Sequence, residues 1–265
     1  MDQRAPNLLD EALGLVDEEK TKPWPLSSRV VLVEDRVETS GAFVLHHLLK
    51  RALSPHSSND VVVFLAFSQP FSHYDRILRK LGCNLTAQRE NNRFFFLDLL
   101  MSEFPGEKLD GDEGNNDGLV ALYGKIEKVV STSFQENKKC ITIVIDDFSL
   151  MEVAANGATN YVLDFLRYCR TLTSAFGCSL VVLNHEDIYS SIERPALILQ
   201  MEYLADILIK AEPLATGLAT DVHGQLTVLN KEIQDGQGSS RNKICNFHFR
   251  VKENGVEYFY PGSKT

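Results

Sequence analysis

Four uninterrupted aliphatic runs constrain this chain more than any other feature: VVLV at 30–33, VVVFLAF at 61–67, ITIVI at 141–145 and SLVVL at 179–183. A strand that is wet on one face alternates apolar and polar residues, and none of these does. A run that is apolar at every position must be covered on both faces, which is the situation of a parallel strand flanked by crossover helices. The segments between the runs supply the helices. Residues 40–53 and 74–81 read as helical, the second stopped by Gly82. In 119–134, Leu119, Leu122, Tyr123, Ile126, Val129 and Val130 recur at helical spacing, and in 159–174 Val162, Phe165, Leu166, Cys169 and Leu172 share one face. RFFFLDLL at 93–100 reads as a further strand.

The last third changes character. ADILIKAEPL (205–214) and GQLTVLN (224–230) flank a turn at DVHG (221–224), and CNFHFRV (245–251) alternates apolar with polar. Asn254-Gly255 is a hairpin turn signal, followed by VEYFY at 256–260. The prediction is an α/β fold: a mostly parallel sheet flanked by helices and extended by C-terminal antiparallel hairpins.

Residues 1–27 read as an N-terminal segment and linker with a short helix, capped by Asn7 and stopped by Gly14, and 28–265 as a single domain. The stretch 105–118 is an acidic, glycine-rich loop. The first fifteen residues lack the apolar core of a signal peptide, and the longest apolar run is far short of a membrane span. Five cysteines lie far apart with no C-x-x-C pair, which predicts reduced, buried thiols and argues against a zinc site. The net charge of −9 repels nucleic acid in bulk, so any nucleic-acid contact needs a local basic patch. The densest basic group is Arg76, Arg79, Lys80, Arg89 and Arg93. The first three share a presumed helix and the last two flank a turn. They are candidate RNA contacts, although a solvated helix face explains such a run more often.

Between the first aliphatic run and the helix after it lies RVETSGAF, Arg36 to Phe43. Strand, tight loop and helix in that order is where phosphate-binding loops sit, with the pattern G-x-x-x-x-G-K-[ST]. Here Arg36 stands for the first glycine, Gly41 for the second, Ala42 for the lysine and Phe43 for the hydroxyl. Glu34, Asp35 and Glu38 surround the loop with negative charge, and Phe43 suits the core better than a phosphate. Asp146, at the end of ITIVI, has the position of a magnesium-holding carboxylate, but the expectation is that Asp146 or Asp147 caps the next turn. Asn184-His185 ends a neighbouring strand, and a hydrogen-bonded pair is expected there. No catalytic residue, cofactor or metal ion is expected.

The order of elements resembles the RecA-like ATPase fold, with VVVFLAFSQPFSHYDRILRKLG (61–82) as its second strand and following helix. In active members that strand delivers a glutamate to the attacking water. Here the segment is SQPF (68–71), with no carboxylate. More narrowly, FSHYDRILRKLG (71–82), DDFSLM (146–151) with VLDFLRYCR (162–170), and AEPLATGLATDVHGQLTVL (211–229) resemble the Elongator complex protein 6 family. That resemblance implies a non-catalytic, pseudo-ATPase subunit of a hetero-hexameric ring, two copies each of subunits 4, 5 and 6. Such a ring attaches to the Elongator catalytic core, engages tRNA and supports wobble-uridine modification, in the cytoplasm and also in the nucleus. The degenerate loop, with Arg36, Glu38, Gly41, Ala42 and Phe43, would then be architecture reused at a subunit interface. The alternative reading is an ATPase or nucleotide-binding regulator with a non-standard phosphate site.

Overall fold

The computed structural model describes residues 7–15, 24–54, 59–102, 117–136, 138, 140–189, 196–217, 219–234 and 240–262. Most of the acidic loop 105–118 and the linker residues 16–23 lie outside these. The described strands are β1 (Val30–Asp35), β2 (Val61–Ala66), β3 (Phe94–Asp98), β4 (Ile141–Ile145), β5 (Ser179–His185), β6 (Ile207–Glu212), β7 (Gly224–Gln234), β8 (Ser240–Lys252) and β9 (Gly255–Phe259). The helices are α1 (Leu8–Leu13), α2 (Ala42–Ala52), α3 (Phe71–Lys80), α4 (Leu85–Glu90), α5 (Asp117–Gln135), α6 (Phe148–Ala154), α7 (Thr159–Phe176) and α8 (Ala196–Leu204).

The strands form one sheet in the order β3-β2-β4-β5-β1-β6-β7-β8-β9. Strands β1 to β6 are all parallel, and β7, β8 and β9 add antiparallel neighbours at one edge. The four aliphatic runs are the buried centre, as their lack of alternation requires. Strand residues point alternately to two faces. Val31, Val33, Val62 and Phe64 join one core with α1 to α4 and the inner side of β7 and β8. Val30, Leu32, Val63 and Leu65 join a second core with α5 to α8. Asn7 caps α1 by accepting from the Leu9 and Asp10 amides, and Gly14 ends it in the left-handed conformation. Leu9 and Leu13 of that helix are buried in the first core, against which partly buried Val256 and Tyr258 of β9 also pack.

Three helices escape the sequence pattern: α4, α6, which stands where only a capped turn was expected, and α8. Helix α4 is six residues long, too short for a period to show, and it carries Arg89 in its last turn. Arg89 and Arg93 flank the turn at Asn91-Asn92, as expected, and Arg89 additionally lies on a helix capped by Asn84. Helix α8, ALILQMEYL, is apolar on most sides, so its period is weak. All five cysteines are unpaired, four of them buried.

Candidate functional site: a degenerate phosphate loop and a basic cleft

The carboxyl ends of β1, β4 and β5 converge where an open α/β sheet places its ligands. Glu34 and Asp35 end β1, Asp146 and Asp147 follow β4, and Asn184 and His185 end β5. Glu34, Asp35, Asp146, Asp147 and Asn184 are all buried.

A working phosphate loop turns its backbone amides toward phosphate oxygens. Here carboxylates of the same chain take them. Gly41 donates to Asp35 Oδ2 at 2.6 Å, and Val37 donates to Asp187 Oδ2 at 2.7 Å. Arg36 pairs with Glu186 at 3.4 Å. Gly41 has a steric reason to be glycine: a Cβ there would lie 3.0 Å from Val33 Cγ1 and 3.2 Å from Asp35 Cβ. Glu38 is exposed, and Val37 is 84% exposed. Ala42 opens α2, and Phe43 packs inward with its ring 4.6 Å from that of Phe249.

Asp35 also anchors a second contact. His185 Nδ1 bonds Asp35 Oδ1, and His185 Nε2 lies 3.1 Å from Asp147 Oδ2. Hydrogen bonds to Asp147 and then Asp35 outweigh burial and push the imidazole up to about 10, so it is a cation at neutral pH. Carboxylates engage both ring nitrogens, which holds this histidine as a cation rather than poising it as a general base. Asp147 additionally caps α6 through the Leu150 amide at 3.0 Å and accepts from the Ser149 hydroxyl.

Asp146 accepts from the Phe67 amide at 2.6 Å, the Ser68 amide at 3.1 Å and the Tyr74 hydroxyl at 2.5 Å. Burial raises its carboxyl to about 6 against the pull of those donors. It ties β4 to the loop after β2. On β6, which pairs with β1, Lys210 bridges Glu34 and Glu202, each at 2.8 Å. Carboxylates therefore already hold the Gly41 and Val37 amides, and the loop has Ala42 where a phosphate-binding lysine would stand. Among the described residues no group of three or more side chains has metal-ligating geometry.

The basic group divides. Arg93 is buried and donates to the Asp60 carbonyl, Gln88 Oε1 and the Ser54 carbonyl, so it fastens loops rather than facing a ligand. Arg79 is exposed and pairs with Asp75 at 2.7 Å, one helical turn back. Arg89 is exposed and stands over the Phe71 ring at 5.7 Å. Arg76 and Lys80 face a cleft of about 770 Å³ between α2, α3 and the β8–β9 hairpin, with Lys50, Arg51 and Lys252 on its other walls. The buried carboxylate–histidine bridge and this cleft were both invisible locally, although two acids ending a run of buried aliphatics, as in VVLVED, signal a partner somewhere.

The family model for Elongation complex protein 6 matches residues 9–253. Elongator complex protein 6 of Xenopus laevis is 29% identical over 238 residues, covering 84% of this chain and 87% of that protein. The human protein of the same name is also 29% identical over 238 residues, covering 85% and 88%. Among solved structures, a KaiC-like protein of Pyrococcus horikoshii superposes with a TM-score of 0.60 at 12% identity, covering 88% of this chain and 90% of that one. An uncharacterized protein of the same organism, crystallised with an unknown peptide, gives 0.61 at 17%, covering 94% and 98%. At these identities the likeness is one of fold, and it is the RecA-like fold expected from the order of elements.

Proposed function

This chain belongs to the Elongation complex protein 6 family, and from that premise we propose that it is a non-catalytic subunit of the Elongator accessory ring. In this reading two copies join two each of subunits 4 and 5, the ring docks on the catalytic core, and the assembly supports tRNA binding and wobble-uridine modification in the cytoplasm and nucleus. The match over residues 9–253 carries the reading. The pseudo-ATPase part rests on Asp35: a carboxylate that accepts from the Gly41 amide holds the position a phosphate needs, and like charge opposes any displacement. The exposed tip of the old loop, Val37 and Glu38, with half-exposed Ile188 close by in sequence to Asp187, offers a neighbour contact. Arg76, Arg79, Lys80 and Arg89 are the cations available to tRNA.

Nucleoside mass spectrometry of tRNA from a strain lacking the chain tests the function. The expected result is loss of the side chains on modified wobble uridines. Normal levels would remove the Elongator assignment.

A further inference from the structure

The cleft between α2, α3 and the β8–β9 hairpin touches the old loop only at Ser40 and Phe43. Lys50 lies nine residues down α2 from Gly41, roughly 14 Å along the axis. Its volume of about 770 Å³ is in the range of small-ligand sites rather than of flat protein contacts. Its charged lining is Lys50, Arg51, Arg76, Lys80 and Lys252 against Asp10 and Glu253, a positive hollow on a chain of net charge −9. Some of those cations are engaged: Arg51 with Asp10 at 3.6 Å, Lys80 with Glu253 at 3.5 Å, Lys252 with Glu257. Among the described residues neither Lys50 nor Arg76 has a carboxylate partner. Lys50 sits in the last turn of α2, where a cation suits the helix dipole. Arg76 is in the middle of α3 and has no such use.

Two uncharged groups also lack partners. The Tyr258 hydroxyl is buried without a hydrogen bond, which is unfavourable unless a ligand supplies the partner. His46 has no hydrogen bond among the described residues, and burial, then nearby His73, lowers its imidazole to about 4, so it is neutral and offers one donor and one acceptor. Phe43, Ile77, Leu81 and Val256 supply apolar wall. Unpaired cations at the rim suit a phosphate, and neutral donors among apolar side chains suit the polar edge of a flat body. A bare anion would leave the tyrosine and histidine unused, and a fatty chain would leave the cations unused.

We propose that this cleft binds a phosphate-bearing ligand of nucleotide size, its phosphate on Lys50 and Arg76 and its body on Phe43, Ile77, Val256 and Tyr258. The inference stands whether or not the chain works in a ring. The ligand is either a free nucleotide or one nucleotide of a single strand.

The test titrates the full-length chain with uridine monophosphate, uridine, and a short single-stranded RNA, followed by ligand-observed NMR. Uridine monophosphate or the RNA should bind, and uridine should bind about tenfold or more weakly. Lys50→Glu with Arg76→Glu, both exposed and so compatible with folding, should weaken binding by about tenfold or more. Tyr258→Phe should weaken it several-fold while the unfolding midpoint holds or rises, because an orphaned hydroxyl is removed. Binding of the mononucleotide marks a free nucleotide as the ligand, and binding of the RNA alone marks a strand. Binding of neither overturns the proposal, as does affinity indifferent to the charge reversals or equal for uridine and its monophosphate.

Discussion

His185 links three strand ends through two carboxylates, and its protonation follows the fold. The unfolded imidazole titrates near 6.5 and the folded one near 10. A group whose folded value is raised contributes fully below the unfolded value and loses that contribution as pH rises through the folded one. Stability should therefore fall between pH 6.5 and 10. Allowing for the quarter of the ring that meets solvent, the loss is on the order of 2–3 kcal/mol. Asp146 works in the same direction at lower pH, since its value rises from 3.8 to about 6. Urea midpoints measured at intervals across pH 6.5–8, below the range in which the buried thiols of Cys140, Cys169 and Cys178 would ionise in the unfolded chain, should decline more for the natural sequence than for His185→Gln. An equal slope in both would mean that the bridge carries no proton of its own.

At the scale of elements, the loop between β1 and α2 shows how a ligand site becomes a joint. Restoring the missing chemistry with Ala42→Lys and Phe43→Thr should not restore ATP·Mg²⁺ binding, because Asp35 still holds the Gly41 amide. With Lys50→Glu and Arg76→Glu added to silence the basic cleft, calorimetry should show no micromolar site. Removing the Phe43 ring from its contact with Phe249 should also cost about 3 kcal/mol, since the loss leaves a cavity beside β8. Helix α1 is the other informative element. It has only six residues, too few to hold together alone, so its helicity depends on Leu9 and Leu13 in the core. Leu9→Ala should lower the unfolding free energy by about 2–4 kcal/mol. A change below 1 kcal/mol, read from a denaturant titration, would mean that the helix is not docked in solution.

For the whole molecule, sheet edges and exposed apolar side chains frame the expectations. Strand β9 ends the sheet on one side and β3 on the other, and Val37, Val153, Tyr168 and Tyr203 are among the exposed large apolar residues. Such edges and side chains invite association. The chain expressed alone should aggregate, and co-expression with subunits 4 and 5 should yield a soluble hexamer by native mass spectrometry. A monodisperse monomer indifferent to those subunits would count against the ring. Charge reversal at Arg76, Arg79 and Lys80 should lower the affinity of the ring for tRNA and flatten its salt dependence while assembly persists. Undiminished binding would return these residues to a solvated helix face.

The sequence by itself determined the layers. VVLV, VVVFLAF, ITIVI and SLVVL cannot be wet on either side, so a covered parallel sheet was legible without coordinates, as was the hairpin at Asn254-Gly255. The loss of lysine and hydroxyl from the phosphate loop could be read residue by residue. A cap from Asp146 or Asp147 and Phe43 as a core residue followed from local rules; the structure gives the cap to Asp147, and Phe43 is in the core. Only the tertiary structure decided what replaced the phosphate, because Asp35 and Gly41 are neighbours but their third partner, His185, is 150 residues away. Arg93 looked like its basic neighbours and is buried, since whether a cation meets water or the carbonyls of Ser54 and Asp60 depends on chain packing rather than on local spacing. The basic cleft draws on α2, α3 and the last hairpin, three segments with no common pattern. Periodicity reports which face of an element is covered. It does not report which side chains meet across the space between elements, and that is where both sites of this molecule are made.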